Sequence, residues 1–389
     1  MIYREVKTRY NSQDMTQFRL TVPARINILG NPADANEGDF ATISAAVDLY
    51  AWADIQTAPG YTLEQSDSDP FQASFRPSDL PLDYNNSLDL LNGAVNRLHA
   101  FSPEFREKLP AQGFHLRVHS AVPRQSGLGG SSLFVLLTLA ALRELYALDR
   151  RAHNDYVLSE ICQRVEEVEL GIASGFADRY VPLFGGLAYL DYRGKLLHKE
   201  VLQEPLVTYE RLDAYAASLP LVAVTTGVQH DSGDVHGRMR PRYLEEHADW
   251  QQRGGAMPPM VRFMSAAWET AWRGKIALLE GDLETIGCLM NENHRLVDDM
   301  MLYCGFSDGA GWANNLFIES ALENGALGAK LTGAGGGGSV FALTEPGRED
   351  ETMRIWEKIA SENDLPDAQI YPLNISSQGL QTRTIAGSR

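Results

Sequence analysis

Residues 123–142, Pro-Arg-Gln-Ser-Gly-Leu-Gly-Gly-Ser-Ser-Leu-Phe-Val-Leu-Leu-Thr-Leu-Ala-Ala-Leu, constrain the chain more than any other stretch. Gly127, Gly129 and Gly130 run into the paired hydroxyls of Ser131 and Ser132, and an apolar run continues to Leu142. That run is too uniformly apolar for a surface helix, so it predicts a core helix entered through a glycine turn. Glycines let the backbone come close to a ligand, and the first turn of a helix offers unpaired N–H groups and a positive dipole end. Such a geometry suits an anion. The pattern alone fits a serine-capped core helix equally well. It is neither G-x-x-x-x-G-K-[ST] nor G-x-G-x-x-G after a strand, so its companions must decide.

A chain of 389 residues has room for two domains with real cores, and the sequence divides best between residues 216 and 217. A net charge of −17 argues against nucleic acid or an anionic membrane as partner. Positive potential for any phosphate must then be local, or supplied by metal ions. Cys162, Cys288 and Cys304 are far apart, lack zinc spacing and fit free thiols in a reducing cytoplasm. The charged N-terminus has no secretory signal, and the longest apolar run is too short to span a bilayer.

Ahead of the glycine turn, Thr21–Arg25 leads into Ile26-Asn27-Ile28-Leu29-Gly30, which predicts a bulged strand or strand pair. A turn-rich loop over 31–39 and more strand over 41–55 follow. Asn31, Asp34 and Asn36 read there as turn residues. Arg25 does not, because a charge beside an apolar strand needs a partner. Residues 58–87, rich in Asp, Ser and Pro, predict an irregular surface excursion. A helix over 88–101 and a strand over 114–121 come next, the strand feeding the glycine turn. Trp52 and the 88–98 helix are candidates for an adenine pocket.

A helix predicted over 154–170 carries Glu160, Glu166, Glu167 and Glu169, mostly a solvated set. Glu166 and Glu169, three apart, share a face, and either can turn inward. Asp178 follows a glycine-punctuated loop, as a reactive carboxylate or as a simple complement to a helix dipole. Leu219–Thr226 reads as a buried strand whose exit, 227–242, crowds His230, His236, Arg238, Arg240 and Arg242, a placement that favours ligand contact. The two histidines lack the carboxylate pattern of a zinc site. Helices over 261–279, 283–301 and 312–323, a second glycine loop between two strands, a helix over 353–362 and a strand over 369–374 complete a β-α-α-α-β-β-α-β half, an α+β arrangement.

Three motifs, in this order, resemble the GHMP kinase family of galactokinase, homoserine kinase, mevalonate kinase and phosphomevalonate kinase relatives. They are Pro23-Ala-Arg25-Ile-Asn-Ile-Leu-Gly30-Asn31-Pro-Ala-Asp34, Pro123-x-x-x-Gly127-Leu-Gly-Gly-Ser131-Ser132, and Lys330-Leu-Thr-Gly333-Ala-Gly335-Gly-Gly-Gly338. The resemblance implies an α+β fold: residues 1–216 as an N-terminal domain like ribosomal protein S5 domain 2, and 217–389 as a ferredoxin-like C-terminal domain, with the active site between them. It implies that Pro123, Ser126, Gly127, Leu128, Gly129, Gly130, Ser131 and Ser132 grip the phosphates of ATP, and that Ser131 and Glu166 hold Mg2+. Many members carry Gly-Leu-Gly-Ser-Ser, whereas this chain has one further glycine. Spacing to Asp178 selects Glu166, with Glu169 as rival.

The resemblance further implies Asp178 and Arg25 as catalytic, with Asn31, Asp34, Asp178, Arg179, His230, Ser232, Gly233, His236, Arg240, Gly335 and Gly336 binding the acceptor. The chemistry agrees: phosphoryl transfer needs phosphates held in line, a carboxylate to orient the attacking hydroxyl, and a fixed cation for developing charge. Beside a guanidinium, Asp178 would act by orientation and late proton acceptance.

Within the family, Gly30-Asn31-Pro32-x-Asp34, Ala177-Asp178-Arg179-Tyr180 and Asp231-Ser232-Gly233-x-Val235-His236-x-x-x-Arg240-x-Arg242-Tyr243-Leu244 resemble glucuronokinases, although Gln-Asp-Arg is more usual where Ala177 stands. That implies a sugar acid, phosphorylated by ATP at its anomeric hydroxyl, with guanidinium contacts to its carboxylate. Only one or two of Arg238, Arg240 and Arg242 can reach it. Heptose 7-phosphate kinases, which also carry Gly-Leu-Gly-Gly-Ser-Ser, are the alternative. A catalytically silent sugar- or nucleotide-binding regulator is the other, opposed by the joint presence of Arg25, Ser131, Glu166 and Asp178. A monomer or a homodimer is expected.

Overall fold

The computed structural model describes residues 17–35, 40–67, 70–123, 125–195, 200–216, 218–228 and 232–385. Its first sheet is built on β1 (Gln17–Leu29) and the long β2 (Ala41–Ala58), an antiparallel pair with register shifts at Pro23/Ala24 and Asn27/Leu29. Such bulges bend a strand and re-aim its side chains, here around Arg25. Beyond β2 come β5 (Gly113–Ser120), β3 (Tyr61–Gln65) and β4 (Phe71–Phe75). The first residues of β2 pair instead with β6 (Leu187–Asp191), and β6 with β7 (Thr208–Arg211).

The β3–β4 hairpin corrects the expected irregular excursion: its polar outer residues hid a short alternation in which Leu63 and Gln65 turn inward. One face of the sheet is covered by α1 (Asp89–Phe101), α3 (Gly130–Leu145), α4 (Asp155–Gln163) and α5 (Ala177–Phe184), with the short α2 (Pro103–Lys108) alongside. Helix α3 is buried almost throughout, as its uniform apolarity requires.

The second sheet has the order β11-β8-β10-β9, all antiparallel, from β8 (Leu221–Thr225), β9 (Gly328–Thr332), β10 (Ser339–Leu343) and β11 (Gln369–Leu373). That is the ferredoxin-like order. Helices α9 (Trp312–Glu323) and α10 (Glu349–Glu362) cover it through Phe317 and Trp356. Between β8 and β9 lie α6 (Ser232–Arg253), α7 (Pro259–Glu280) and α8 (Leu283–Tyr303) as well. Helix α7 packs on β1 and β2 and so joins the two layers. The last strand, β12 (Gln381–Ile385), returns to the first sheet beside β1. The sheets therefore do not divide cleanly at residue 217.

Helix α6 is the main correction to the expected loop at the strand exit. Its mean hydropathy is low and it contains Pro241, yet Val235, Met239 and Tyr243 recur every fourth residue and are all buried. Arg238–Asp234, Arg242–Glu246 and Arg253–Asp249 pair at i,i+4 along its outer side. Among the described residues no helix is long and apolar enough to cross a membrane.

Candidate active site

Gly127 and Gly129 both have positive φ, +73° and +85°, which the turn into α3 requires. A Cβ on Gly127 would lie 2.6 Å from the Thr332 carbonyl oxygen, and one on Gly333 would lie 2.7 Å from the Gly127 Cα. The two glycine loops thus touch, one from each domain. They border a cavity of about 380 Å3 whose walls include Pro123, Ser126, Gly127, Gly129, Gly130 and Ser131. Leu128 is buried in the core and anchors the turn, and a Cβ on Gly130 would meet open space. The Ser126 hydroxyl is buried without a hydrogen-bond partner among the described residues.

Helix α4 continues into a π-helical turn, Arg164–Glu169. Its wider turn breaks the i,i+3 alignment on which the equivalence of Glu166 and Glu169 rested. Glu166 is fully buried and accepts from Ser131 Oγ at 2.7 Å, Ser132 Oγ at 2.8 and 2.9 Å and Ser174 Oγ at 3.0 Å. Glu169 turns away to Tyr84 and Arg97. Glu167, expected in solvent, also faces inward and accepts from Arg179 Nη2 at 3.2 Å. Adjacent carboxylates both point inward because the turn is π-helical.

The ring of oxygens at Glu166 is a hard donor set. One carboxylate with a hydroxyl beside it suits Mg2+, which usually draws its other ligands from substrate phosphates and water. Among the described residues no three His, Cys, Asp or Glu side chains form a cage for a metal.

Across the cavity, Asp178 stands in the first turn of α5 and accepts from Arg25 Nε, while Arg25 Nη1 donates to the Gly127 carbonyl. One guanidinium thus links the aspartate to the glycine turn before α3. Asp34 lies beside them and accepts from the Ala177 N–H at 3.2 Å. Gly175 must be glycine, since a Cβ would overlap the Asp34 carboxylate. Burial and the charge of Asp178 push the Asp34 carboxyl up to about 6. His236, from α6, also lines the cavity. Burial lowers it to about 4, so it is a neutral imidazole at pH 7, and its Nδ1 has no hydrogen-bond partner among the described residues.

The remaining expected residues are distributed unevenly. Asn31 lines the cavity and its Oδ1 accepts from Lys330 Nζ at 2.7 Å. Lys330 is wholly buried and also donates to the carbonyls of Asn27 and Leu331, each at 2.9 Å; burial lowers it to about 7. Arg179 is wholly buried and engaged by Glu166, Glu167 and Ser174, so it supports the site from behind. Arg240 lies one turn beyond His236, with Nη1 3.7 Å from Glu167 Oε2. Gly333 and Ala334 line the cavity, whereas Gly335 packs on Met301 and the Gly336 N–H bonds to Ala310. Gly233 is exposed at the start of α6; His230 and the side chain of Ser232 lie outside the described residues. Arg238 stacks on Phe306 and Arg242 on Tyr303, both away from the cavity walls.

Several wall residues carried no sequence signal. Gln65, Asp67 and Ser87 line the cavity as well. Of the adenine candidates, Leu90 of α1 is there, while the Trp52 ring lies tilted against His119 with centroids 4.4 Å apart. Gln65 and Asp67 come from the stretch read as irregular, and only its faint alternation could have pointed to them.

Comparisons with known proteins point to one family. The family model for the GHMP kinases N terminal domain matches residues 90–186, and that for the GHMP kinases C terminal region matches 314–361. "Probable glucuronokinase 2" of Arabidopsis thaliana is 28% identical, covering 92% of this chain and 93% of its own. "Glucuronokinase 1" of the same plant is 30% identical, covering 83% and 84%. Lactococcus lactis galactokinase complexed with galactose superposes with a TM-score of 0.73 at 17% identity, covering 95% of this chain and 96% of its own, a likeness of fold.

Proposed function

The chain belongs to the GHMP kinase family, and from there we propose that it transfers the γ-phosphoryl group of ATP to the anomeric hydroxyl of glucuronate or a similar sugar acid, with Mg2+. One observation carries the reading. The Asp178–Arg25 pair shares a single cavity with Ser131 at the start of α3, where Ser131 and Ser132 donate to Glu166 of the π-helical turn.

In this reading the N–H groups at the start of α3 and the Gly127–Gly130 backbone receive the phosphates. Bound at Ser131 and Glu166, Mg2+ would neutralise phosphate charge. Asp178 orients the acceptor hydroxyl; as the new oxygen–phosphorus bond forms, the bond to the ADP oxygen breaks and the hydroxyl proton passes to Asp178. Arg25 steadies both partners, through its bonds to Asp178 and to the Gly127 carbonyl. Asp34 and neutral His236 supply hydrogen bonds to sugar hydroxyls.

The likeness to two glucuronokinases supports a sugar acid. Of Arg238, Arg240 and Arg242 on α6, Arg238 and Arg242 stack on Phe306 and Tyr303, which leaves Arg240, one turn beyond His236 and itself paired with Glu167, as the one nearest the site. A single guanidinium suits a monoanionic carboxylate better than a phosphate dianion. The three cysteines are free thiols, consistent with a cytoplasmic reaction.

The test is ADP release with Mg2+ on glucuronate, galactose, glucose, a heptose 7-phosphate and mevalonate, with NMR to locate the new phosphate. Glucuronate should lead the neutral sugars by roughly ten- to a hundredfold in kcat/KM, the worth of one charge-assisted contact. Equal use of glucuronate and galactose refutes the sugar acid. A heptose 7-phosphate used far better than either replaces it, and tight ATP binding without turnover on any of them indicates a regulator.

A further inference from the structure

Helix α7 is 22 residues long, about 33 Å, and one side of it is seated firmly: the Gly274 backbone lies against Leu29 and Ile43. Its outer side carries Trp268, Trp272, Ile276 and Leu279, exposed by 37, 39, 48 and 46%. Spaced by four, four and three residues, they form one stripe along the helix. Two tryptophans in a continuous exposed row mark an interaction surface more often than a free one.

A row of charges beside the stripe identifies the partner. Arg262 and Glu280 are about five whole turns apart and so lie on the same side of α7. Glu269 and Arg273, one turn apart, lie between them on that side. The signs alternate along the row, plus, minus, plus, minus, and they are symmetric about Ala271. Reversing the helix sets Glu280 opposite Arg262 and Arg273 opposite Glu269. A parallel copy in register would instead set like charges together. The row is complementary to itself in the antiparallel sense alone, as a two-fold contact demands.

We propose that α7 is the seam of a homodimer, in which two copies pack antiparallel about a two-fold axis at the level of Ala271. The tryptophan–isoleucine–leucine stripes form the dry centre, and the Arg262–Glu280 and Glu269–Arg273 pairs form one rim. Within the chain Arg273 reaches Glu292 at 3.3 Å and Glu269 at 3.9 Å. These exposed pairs are weak and can be shared with the second copy. The contact leaves the cavity open, because none of these side chains lines it.

Sedimentation equilibrium on the full chain at about 20 µM, in about 0.15 M salt, tests the seam. The expected mass is twice 43.0 kDa. Trp272→Glu should return the mass to one chain with an unchanged far-UV spectrum. Glu269→Arg should weaken the dimer by about tenfold, since two symmetric attractions become repulsions. Adding Arg273→Glu to the same chain should restore it. A wild-type monomer, a dimer that survives Trp272→Glu, or a double reversal as weak as the single one overturns the proposal.

Discussion

Glu167 and Arg240 meet across the two domains, with Oε2 of one 3.7 Å from Nη1 of the other and both side chains largely buried, at 6% and 15% exposure. The glutamate belongs to the π-helical turn after α4 and the arginine to α6. The same carboxylate takes a hydrogen bond from Arg179, whose Nε donates to Glu166 at 3.2 Å. A continuous ionic chain therefore runs from the helix that presents His236 to the carboxylate that stands with Ser131 and Ser132.

Glu167→Gln should accordingly disturb both ends of that chain. Arg179 then concentrates on Glu166 and competes with a metal there, and α6 loses a counter-charge. We expect KM for the sugar to rise by about tenfold, the Mg2+ concentration for half-maximal rate to rise severalfold, and KM for ATP to move less than about twofold. Steady-state kinetics with a Mg2+ titration reads all three. Wild-type values for the first two would show that the chain carries no load.

The two neighbouring carboxylates should behave differently. Glu166→Gln removes an oxygen donor held among three serine hydroxyls and should raise the Mg2+ requirement by at least about tenfold. Glu169→Gln alters a carboxylate that bonds to Tyr84 and Arg97 near the surface and should change the requirement little. The same titration decides, and a reversed ranking would exchange their roles.

Where periodicity held, the sequence was a reliable guide: the bulged strand at Arg25, the core helix α3 and the strand–glycine loop–strand of the second domain lie where expected. It misled where a local rule was suspended. A 3.6-residue period placed Glu166 with Glu169, but the π-helical turn places it with Glu167. The strand exit expected over 227–242 contains Gly233, Gly237 and Pro241, although burial of Val235, Met239 and Tyr243 and three i,i+4 ion pairs outweigh those breakers in α6. The return of β12 to β1 depends on a partner more than 350 residues away, which no local pattern contains.

Asp178→Asn keeps the shape but removes the acceptor of the hydroxyl proton. Turnover should fall by about 10²–10⁴, while ATP binding, measured by calorimetry, changes little because the nucleotide site proposed above is the glycine turn at the start of α3. A variant with half the wild-type turnover would remove Asp178 from the reaction.

Asp34 offers a test in which stability and activity move in opposite directions. Burial and the neighbouring Asp178 raise its carboxyl from the ordinary 3.8 to about 6. Between those values the folded chain holds the proton more tightly than the unfolded chain, so this residue makes stability fall as pH rises through that window. A shift of about two units corresponds to roughly 3 kcal/mol lost by neutral pH. Asp34→Asn should therefore raise Tm at pH 7, leave it near wild type below pH 4, and still accept the Ala177 N–H through its amide oxygen. Activity should show the converse. If ionised Asp34 accepts a sugar hydroxyl, wild-type kcat/KM for the sugar declines below about pH 6, and Asp34→Asn has a lower value without that acid limb. Differential scanning calorimetry and a pH–rate profile on the two proteins check the pair. An equal Tm difference at pH 4 and pH 7 would show that the buried charge is not what Asp34 costs the fold.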